Sequence, residues 1–318
     1  MYEASLRVIG VRGLLRRLRE WLPVPRLLKH EKTGRQKDYA NIGPTAALIA
    51  YYRSCSDIPF ARQLAYEIGA ESASRQMIVD DSLLLAKAIV AFEARFKSVD
   101  AVLRRYPGIT RFIEIPAGFS TRGLTMTRSN PCVEYVECDL EAMLTAKRRA
   151  VAQLIADMGE RQSDSLRFQA ANILDPDQLH LAAHELSSGP IGIITEGLLS
   201  YLNRDEKRIA AGNIHQLLKS CGGVWVITDL TRVFATNDAR AAELRHNISV
   251  LTGFSPITGC FNSLEEARRF FEGLGFRVHD YRRSEVIDKL SAVAASRLTS
   301  SEILAFLETQ ATFALEAE

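Results

Sequence analysis

Residues 111–123 read RFIEIPAGFSTRG. A short apolar run closes on an acid, Glu114, and a turn of small residues follows, Pro116, Ala117 and Gly118, then Ser120 and Thr121. A second apolar run, VEYVECD, closes on its own acid, Asp139. Strand, tight turn, helix, strand, acid is the layout of a nucleoside-binding βαβ unit, in which the turn brings the backbone close to a ligand and the second acid accepts from ribose hydroxyls. Only Gly118 stands where a dinucleotide fold has three glycines, so a pyrophosphate cradle is not expected and a nucleoside ligand without phosphates fits better. The competing reading of this stretch is plain strand-to-helix packing with no ligand.

Outward from this unit the chain alternates. Helices are expected over 45–54, 60–70 and 82–105, the last ended by Pro107-Gly108, with a turn around Asp57-Ile-Pro59. Strands are expected at 111–115, 133–138, 166–172, 191–197, 224–230 and 276–282, and the tail TFALEAE reads as a seventh. Helices fall between them at 140–158, after Asp175-Pro176, at 204–219, and in SLEEARRFFEGLGF, where Ser263 and Glu266 predict a capping box and Gly275 a C-cap. Strands alternating with helices demand a mostly parallel sheet covered on both faces. The expected class is therefore α/β, with residues 1–105 forming a helical cap and substrate lid integral to the domain and 106–318 the sheet-bearing core.

The chain has 318 residues, 47% hydrophobic and 25% charged, enough for a large buried core in an ordinary globular protein. No apolar run is long enough to span a membrane. Five cysteines, at 55, 132, 138, 221 and 260, have no metal-type spacing and an odd count, and read as reduced thiols of a cytoplasmic protein. The net charge of +2 is unevenly spread: residues 1–37 hold ten Lys or Arg against three Glu. Leu14, Leu15, Leu18, Trp21 and Leu22 make one helical stripe flanked by Arg12, Arg16 and Arg19. Packing on the chain's own core, docking on an acidic partner or anionic membrane surface, and an organelle transit peptide are the readings, in that order. No aromatic stacking pattern accompanies the charge, so nucleic acid is not an expected partner. His180 and His184 are spaced i, i+4 but lack a third ligand, so no metal site is expected.

Six segments, in order, resemble the leucine carboxyl methyltransferase family, which includes bacterial polyketide-associated O-methyltransferases. TAALIAYYR is similar to its entry helix and DIPFARQLA to its Asp-Pro segment; ARFKSVDAVL resembles the helix that places Arg95 and Asp100. EIPAGFSTR resembles the Glu-Leu-Gly-Ala-Gly-Leu-Asp-Thr-Arg turn, YVECDLEAMLTAKR the Glu-x-Asp-Leu-Pro segment with a downstream Lys147, and ITEGLLSYL the Ala-Glu-Gly-x-x-x-Tyr-Leu signature.

The resemblance implies a seven-stranded Rossmann-like methyltransferase sheet and S-adenosylmethionine as cofactor. It assigns Arg95, assisted by Arg53, to the donor's carboxylate, where a guanidinium fork binds bidentately. Glu114, Ala117 and Gly118 would form the first turn, Asp139 would hold the ribose, and Asn172 and Ile173 would flank the adenine, the amide by hydrogen bonds. Glu196 would lie near the sulfonium. Tyr201 is the expected acceptor-side orienting residue. The acceptor would be a small or carrier-bound polyketide-type carboxylate or hydroxyl; a protein C-terminus is the further alternative. Three departures stand out: Pro116 for a glycine, which removes a backbone donor, Ser120 for an Asp, and Asn172 for an Asp. They admit a binding protein of the same fold without activity. A nicotinamide-dependent oxidoreductase would need the glycines this turn lacks.

Overall fold

The computed structural model describes residues 43–75, 77, 81–231, 239–252, 259–296 and 298–318. The basic amphipathic stretch within 1–37 lies outside the described residues.

Four helices precede the sheet: α1 (Gly43–Ser54), α2 (Ala61–Glu67), α3 (Ala70–Ser74) and α4 (Ser82–Leu103). The longest, α4, starts where Asp81 accepts from the N–H groups of Leu83 and Leu84, both at 2.9 Å, satisfying two of its orphan donors. The region expected as a single helix over 60–70 is broken at Gly69, whose φ of 61° ends one helix and opens the next.

Strands and helices then alternate: β1 (Arg111–Glu114), α5 (Arg122–Ser129), β2 (Glu134–Asp139), α6 (Glu141–Asp157), β3 (Leu166–Ala170), α7 (Pro176–His184), β4 (Ile191–Thr195), α8 (Arg204–Cys221) and β5 (Gly223–Ile227). After α9 (Ala239–Thr252) and α10 (Leu264–Glu272) come β6 (Phe276–Arg282), a 3₁₀ turn over Arg283–Lys289, α11 (Ser291–Ala295), α12 (Ser300–Glu308) and β7 (Ala311–Ala317). Among the described residues no helix is long and apolar enough to cross a membrane.

The sheet order is β3-β2-β1-β4-β5-β7-β6. β3 to β5 are parallel, but the sheet is mixed: β7 runs antiparallel to both β5 and β6. At α10 the expected capping box is half formed. Ser263 accepts from the Glu266 N–H at 3.1 Å, while the Glu266 carboxylate turns to the Asn262 N–H at 2.7 Å. Gly273, not Gly275, is the C-cap; Gly275, at φ 85°, leads into β6.

The strand period of two divides the core. Ile113, Val136, Ile193 and Trp225 face α7, α8 and α10 through Leu179, Ala210 and Phe271. Phe112, Tyr135, Ile194 and Val226 face the other side, where Val99 and Val102 of α4, Leu124 of α5 and Leu154 of α6 cover them. The helices before β1 thus share a face with α5 and α6. Burial of β1, β2, β4 and β5 on both sides explains the near-continuous apolar runs in the sequence.

Candidate functional site

The order changes direction between β1 and β4, and at that point of a doubly wound sheet the strand ends leave a crevice. Glu114 closes β1, Asp139 closes β2, Asn172 lies just past β3 and Glu196 just past β4. Arg53 of α1 and Arg95 of α4 close the crevice from above. The result is a cavity of about 180 Å³ whose wall includes Arg53, Arg95, Glu114, Ala117, Gly118, Asp139, Asn172, Ile173, Glu196 and Tyr201. All ten residues singled out in the sequence are thereby brought to one place.

The turn after β1 is tied to the end of β2. The Ala117 N–H donates to the Cys138 carbonyl at 2.7 Å, and the Gly118 N–H donates to Asp139 Oδ2 at 2.8 Å. Gly118 takes a φ of 46°, in the left-handed region that suits glycine. Two N–H groups that a phosphate-binding turn would offer to a ligand are therefore used within the protein. Asp139 Oδ1 accepts from the Leu140 N–H at 2.8 Å. That bond is to its chain neighbour, so Asp139 is not the side-chain cap of α6, whose N-cap is Leu140. Burial pushes the Asp139 carboxyl up to about 6, against the two N–H donors. Each of its oxygens keeps acceptor capacity for a further donor.

Beneath this turn lies a buried ion network. Glu196 Oε1 accepts from Arg53 and from Arg95 Nε, the latter at 2.8 Å, and Oε2 accepts from Arg122 Nη2 at 3.0 Å. Arg122 also donates to Asp100 at 2.7 Å and to Glu114, whose other oxygen accepts from the Tyr135 hydroxyl at 2.9 Å. Arg95 Nη1 reaches Asp229 at 2.7 Å. Burial alone would raise the Glu196 carboxyl, but the three guanidiniums override it and hold it well below the usual carboxylate range. Burial likewise opposes the Arg122 charge, yet Glu114, Asp100 and Glu196 raise its pKa well above normal. At Arg53 burial wins and the pKa is lowered. Its Nε is buried with no hydrogen-bond partner among the described residues, an uncompensated donor group at the cavity wall.

The geometry refines two expected roles. Arg95 uses Nε and Nη1 on Glu196 and Asp229, so a full fork is not left for a ligand; Glu196 is already ringed by arginines. The Asn172 side-chain carbonyl accepts from the Leu174 N–H at 3.0 Å, which leaves its NH₂ as the group to offer. Ile173 is buried, and its carbonyl accepts from Asn213 Nδ2 at 3.0 Å. Burial raises the Tyr201 phenol, which lies 3.4 Å from Thr45 Oγ1 of α1. His180 and His184 are both exposed.

Arg122, Asp229 and Arg283 were not among the expected site residues. Arg122 is in the opening stretch, as the last residue of EIPAGFSTR, and Asp229 closes the apolar run VWVITDL as Glu114 closes its own. The signal for Asp229 was thus the same one that found Glu114. Arg283 carries none: it follows β6, does not line this cavity, and comes near Asp229, whose pKa it helps to lower, only through the antiparallel edge of the sheet.

No protein-family model and no curated protein matches the sequence. Among solved structures the fold is similar to that of a DUF574 family protein from Streptomyces avermitilis, at 15% identity over 86% of this chain and 97% of that one, with a TM-score of 0.53. At that identity the likeness shows a shared fold. Magnesium protoporphyrin IX methyltransferase (ChlM) from Synechocystis, with bound SAH, matches at 9% identity over 81% of this chain and 98% of that one, TM-score 0.46. PigF with SAH matches at 13% identity over 82% and 70%, TM-score 0.44. Fold and site together define an α/β protein with a crevice of about 180 Å³ at the switch point of a mixed seven-stranded sheet.

Proposed function

We propose that this chain is an S-adenosylmethionine-dependent O-methyltransferase, acting on a carboxylate or hydroxyl of a small, polyketide-type acceptor and related to the leucine carboxyl methyltransferases that its motifs resemble. The observation that carries the reading is the convergence of the motif residues on one cavity, with Asp139 at the end of β2 and a turn that has no phosphate cradle. The donor set fits the proposed cofactor. Asp139 has the acceptor capacity for two ribose hydroxyls, Arg53 has an unmet buried donor for a carboxylate, and Ala171, Ile173 and Leu174 offer an apolar slot for a flat base beside the Asn172 amide.

When bound, the cofactor supplies an electrophilic methyl group on a neutral leaving sulfur. The protein then has to align and to exclude water. Glu196, itself held by Arg122, keeps the arginine pair in place, with Asp229 on Arg95; Arg53 and the remaining Nη2 of Arg95 orient the donor's carboxylate; Tyr201 orients the acceptor. A carboxylate acceptor is already ionised at neutral pH and needs no base. The helices before residue 106 form the lid over the core in this reading.

Titration calorimetry with S-adenosylmethionine, S-adenosylhomocysteine and NAD tests it. Binding of the first two and not of NAD is expected; heat with NAD alone would overturn it. The Pro116 substitution and the internally used N–H groups favour one rival, a binding protein that keeps the ligand without turnover. Methyl transfer to an acceptor separates the two.

A further inference from the structure

A second cavity of about 130 Å³ adjoins the first, and Thr45, Ile49, Arg95, Gly197 and Tyr201 line both. Its far wall is apolar and aromatic: Leu48 and Tyr52 of α1, Phe92 of α4, Leu244 and Ile248 of α9. Tyr52 and Phe92 are stacked there, 5.2 Å between centroids and 14° between planes. Set into this wall is Arg283, only 2% exposed.

Arg283 differs from the other buried arginines. Arg53, Arg95 and Arg122 all reach carboxylates within 3.0 Å, whereas Arg283 Nη1 donates to the neutral Gln310 side chain at 2.6 Å. Its Nε has no partner, and among the described residues no carboxylate lies within ion-pair distance of it. Asp229, the carboxylate of this cavity, is engaged by Arg95, Thr228 and the Gly197 N–H. Arg95 and Arg283 stand in the wall beside that carboxylate, and of the two only Arg95 is hydrogen-bonded to it. Burial lowers the Arg283 pKa to about 10, and Asp229 only partly offsets the cost of keeping the cation there. A buried cation without an anion is a group in want of one.

We propose that this second cavity binds the acceptor, and that the acceptor is a small carboxylic acid with an aromatic or branched apolar body: the carboxylate pairs with Arg283 and the body lies against Tyr52 and Phe92. A charge-assisted, two-toothed contact to a guanidinium supplies the selectivity for an acid, and the aromatic wall supplies the affinity for its body. The assignment rests on the methyltransferase reading for the word acceptor, but not for the binding itself.

The test is calorimetric titration of the full chain with 3-phenylpropionate, its neutral amide, and the cationic 3-phenylpropylamine. The acid is expected to bind at least about tenfold tighter than the amide, a difference worth one charged contact. Arg283→Met should erase that preference and leave the affinity for the amide and for S-adenosylhomocysteine unchanged; Arg283→Lys should restore part of it. Equal binding of acid and amide, preference for the amine, or no acid binding at millimolar concentration overturns the proposal. Should Arg283→Met fail to fold, Arg283→Gln, which removes the charge but keeps a polar group beside Gln310, takes its place, and an acid preference undiminished in the folded variant overturns the proposal. S-Adenosylhomocysteine is titrated separately: its failure, with the acid preference intact, would sink the donor assignment and leave this site standing.

Discussion

The backbone N–H of Gly118 donates to Asp139 Oδ2 at 2.8 Å, joining the turn after β1 to the end of β2 across 21 residues of chain. One carboxylate thus shapes the floor of the crevice and remains able to accept from a ligand. Asp139→Ala should weaken S-adenosylhomocysteine binding by roughly 1.5–3 kcal/mol, the range for hydrogen bonds to a charged acceptor. Folding should be kept, because the acid lies at a strand end. Unchanged affinity in a folded variant would remove Asp139 from the ribose position.

Acid should oppose the same contact. Burial raises the Asp139 carboxyl to about 6, so the ionised form that accepts two hydroxyls is lost below that pH. Affinity for S-adenosylhomocysteine should fall from pH 7 to pH 5 in the wild type and stay flatter in Asp139→Asn. Stability has the opposite sign. A folded pKa above the unfolded value of about 3.9 means that this group's contribution is full below pH 4 and lost as pH rises through 6. The wild-type stability minus that of Asp139→Asn, from urea melts between pH 4 and 7.5, should therefore decline with pH. A difference that rises instead would contradict the raised pKa.

Arg122 is fully buried between Asp100, Glu114 and Glu196, with its guanidinium 4.1 Å from the Phe96 ring centroid. Arg122→Met should cost about 3–5 kcal/mol, since it leaves buried carboxylates without their cation. Denaturant unfolding reads this directly. A loss below about 1 kcal/mol, the scale of an exposed pair, would show that the network is wetter than its burial implies.

Arg95→Lys keeps the charge but not the two-armed reach to Glu196 and Asp229. Both the melting temperature and the affinity for S-adenosylhomocysteine should drop, because an ammonium is a point charge and cannot span both carboxylates. A drop in stability with the affinity intact would assign Arg95 to the framework alone.

Two glycines in helices should respond in opposite directions to alanine. At Gly123 in α5 a Cβ would sit 2.7 Å from Glu137 Oε1 and 2.8 Å from Tyr135 Cδ1, so Gly123→Ala should destabilise by about 1–3 kcal/mol. At Gly212 in α8 nothing lies within 4 Å, so Gly212→Ala should stabilise by roughly 0.5–1 kcal/mol. Thermal melts of the two variants side by side check both signs, and a stabilised Gly123→Ala would mean that α5 stands off the sheet.

Strands β1, β2, β4 and β5 were legible because burial on both faces writes itself as short apolar runs, and an acid at or just past the end of each marks the ligand edge; β3, only partly buried, is followed by Asn172 instead. That rule reached Glu114, Asp139 and Glu196, and applied once more it would have reached Asp229. The direction of β7 was not legible. Its alternation TFALEAE gives a strand, but pairing with β5 and β6 is a contact across the whole second half of the fold, and register carries no local signature. Arg283 was hidden for the same reason. Its side chain meets the cavity because β7 and Gln310 fix the turn that follows β6, a fact of topology. The use of the turn's N–H groups on Cys138 and Asp139 was also out of reach, since small residues in a turn look alike whether they face a ligand or a neighbouring strand.

The place of β7 governs the order in which the molecule can be made. β5 and β6 have no direct ladder between them; each pairs with β7. During synthesis from the N-terminal end, β2 to β5 each emerge with a parallel partner already made, while β6 must wait unpaired until residues 311–317 have left the ribosome. Phe276 and Val278, buried in the finished sheet, stay uncovered through that interval. The half of the molecule that carries Arg283 and Asp229 is therefore the last to close, and a nascent chain stalled before residue 311 would expose two strand edges to other chains.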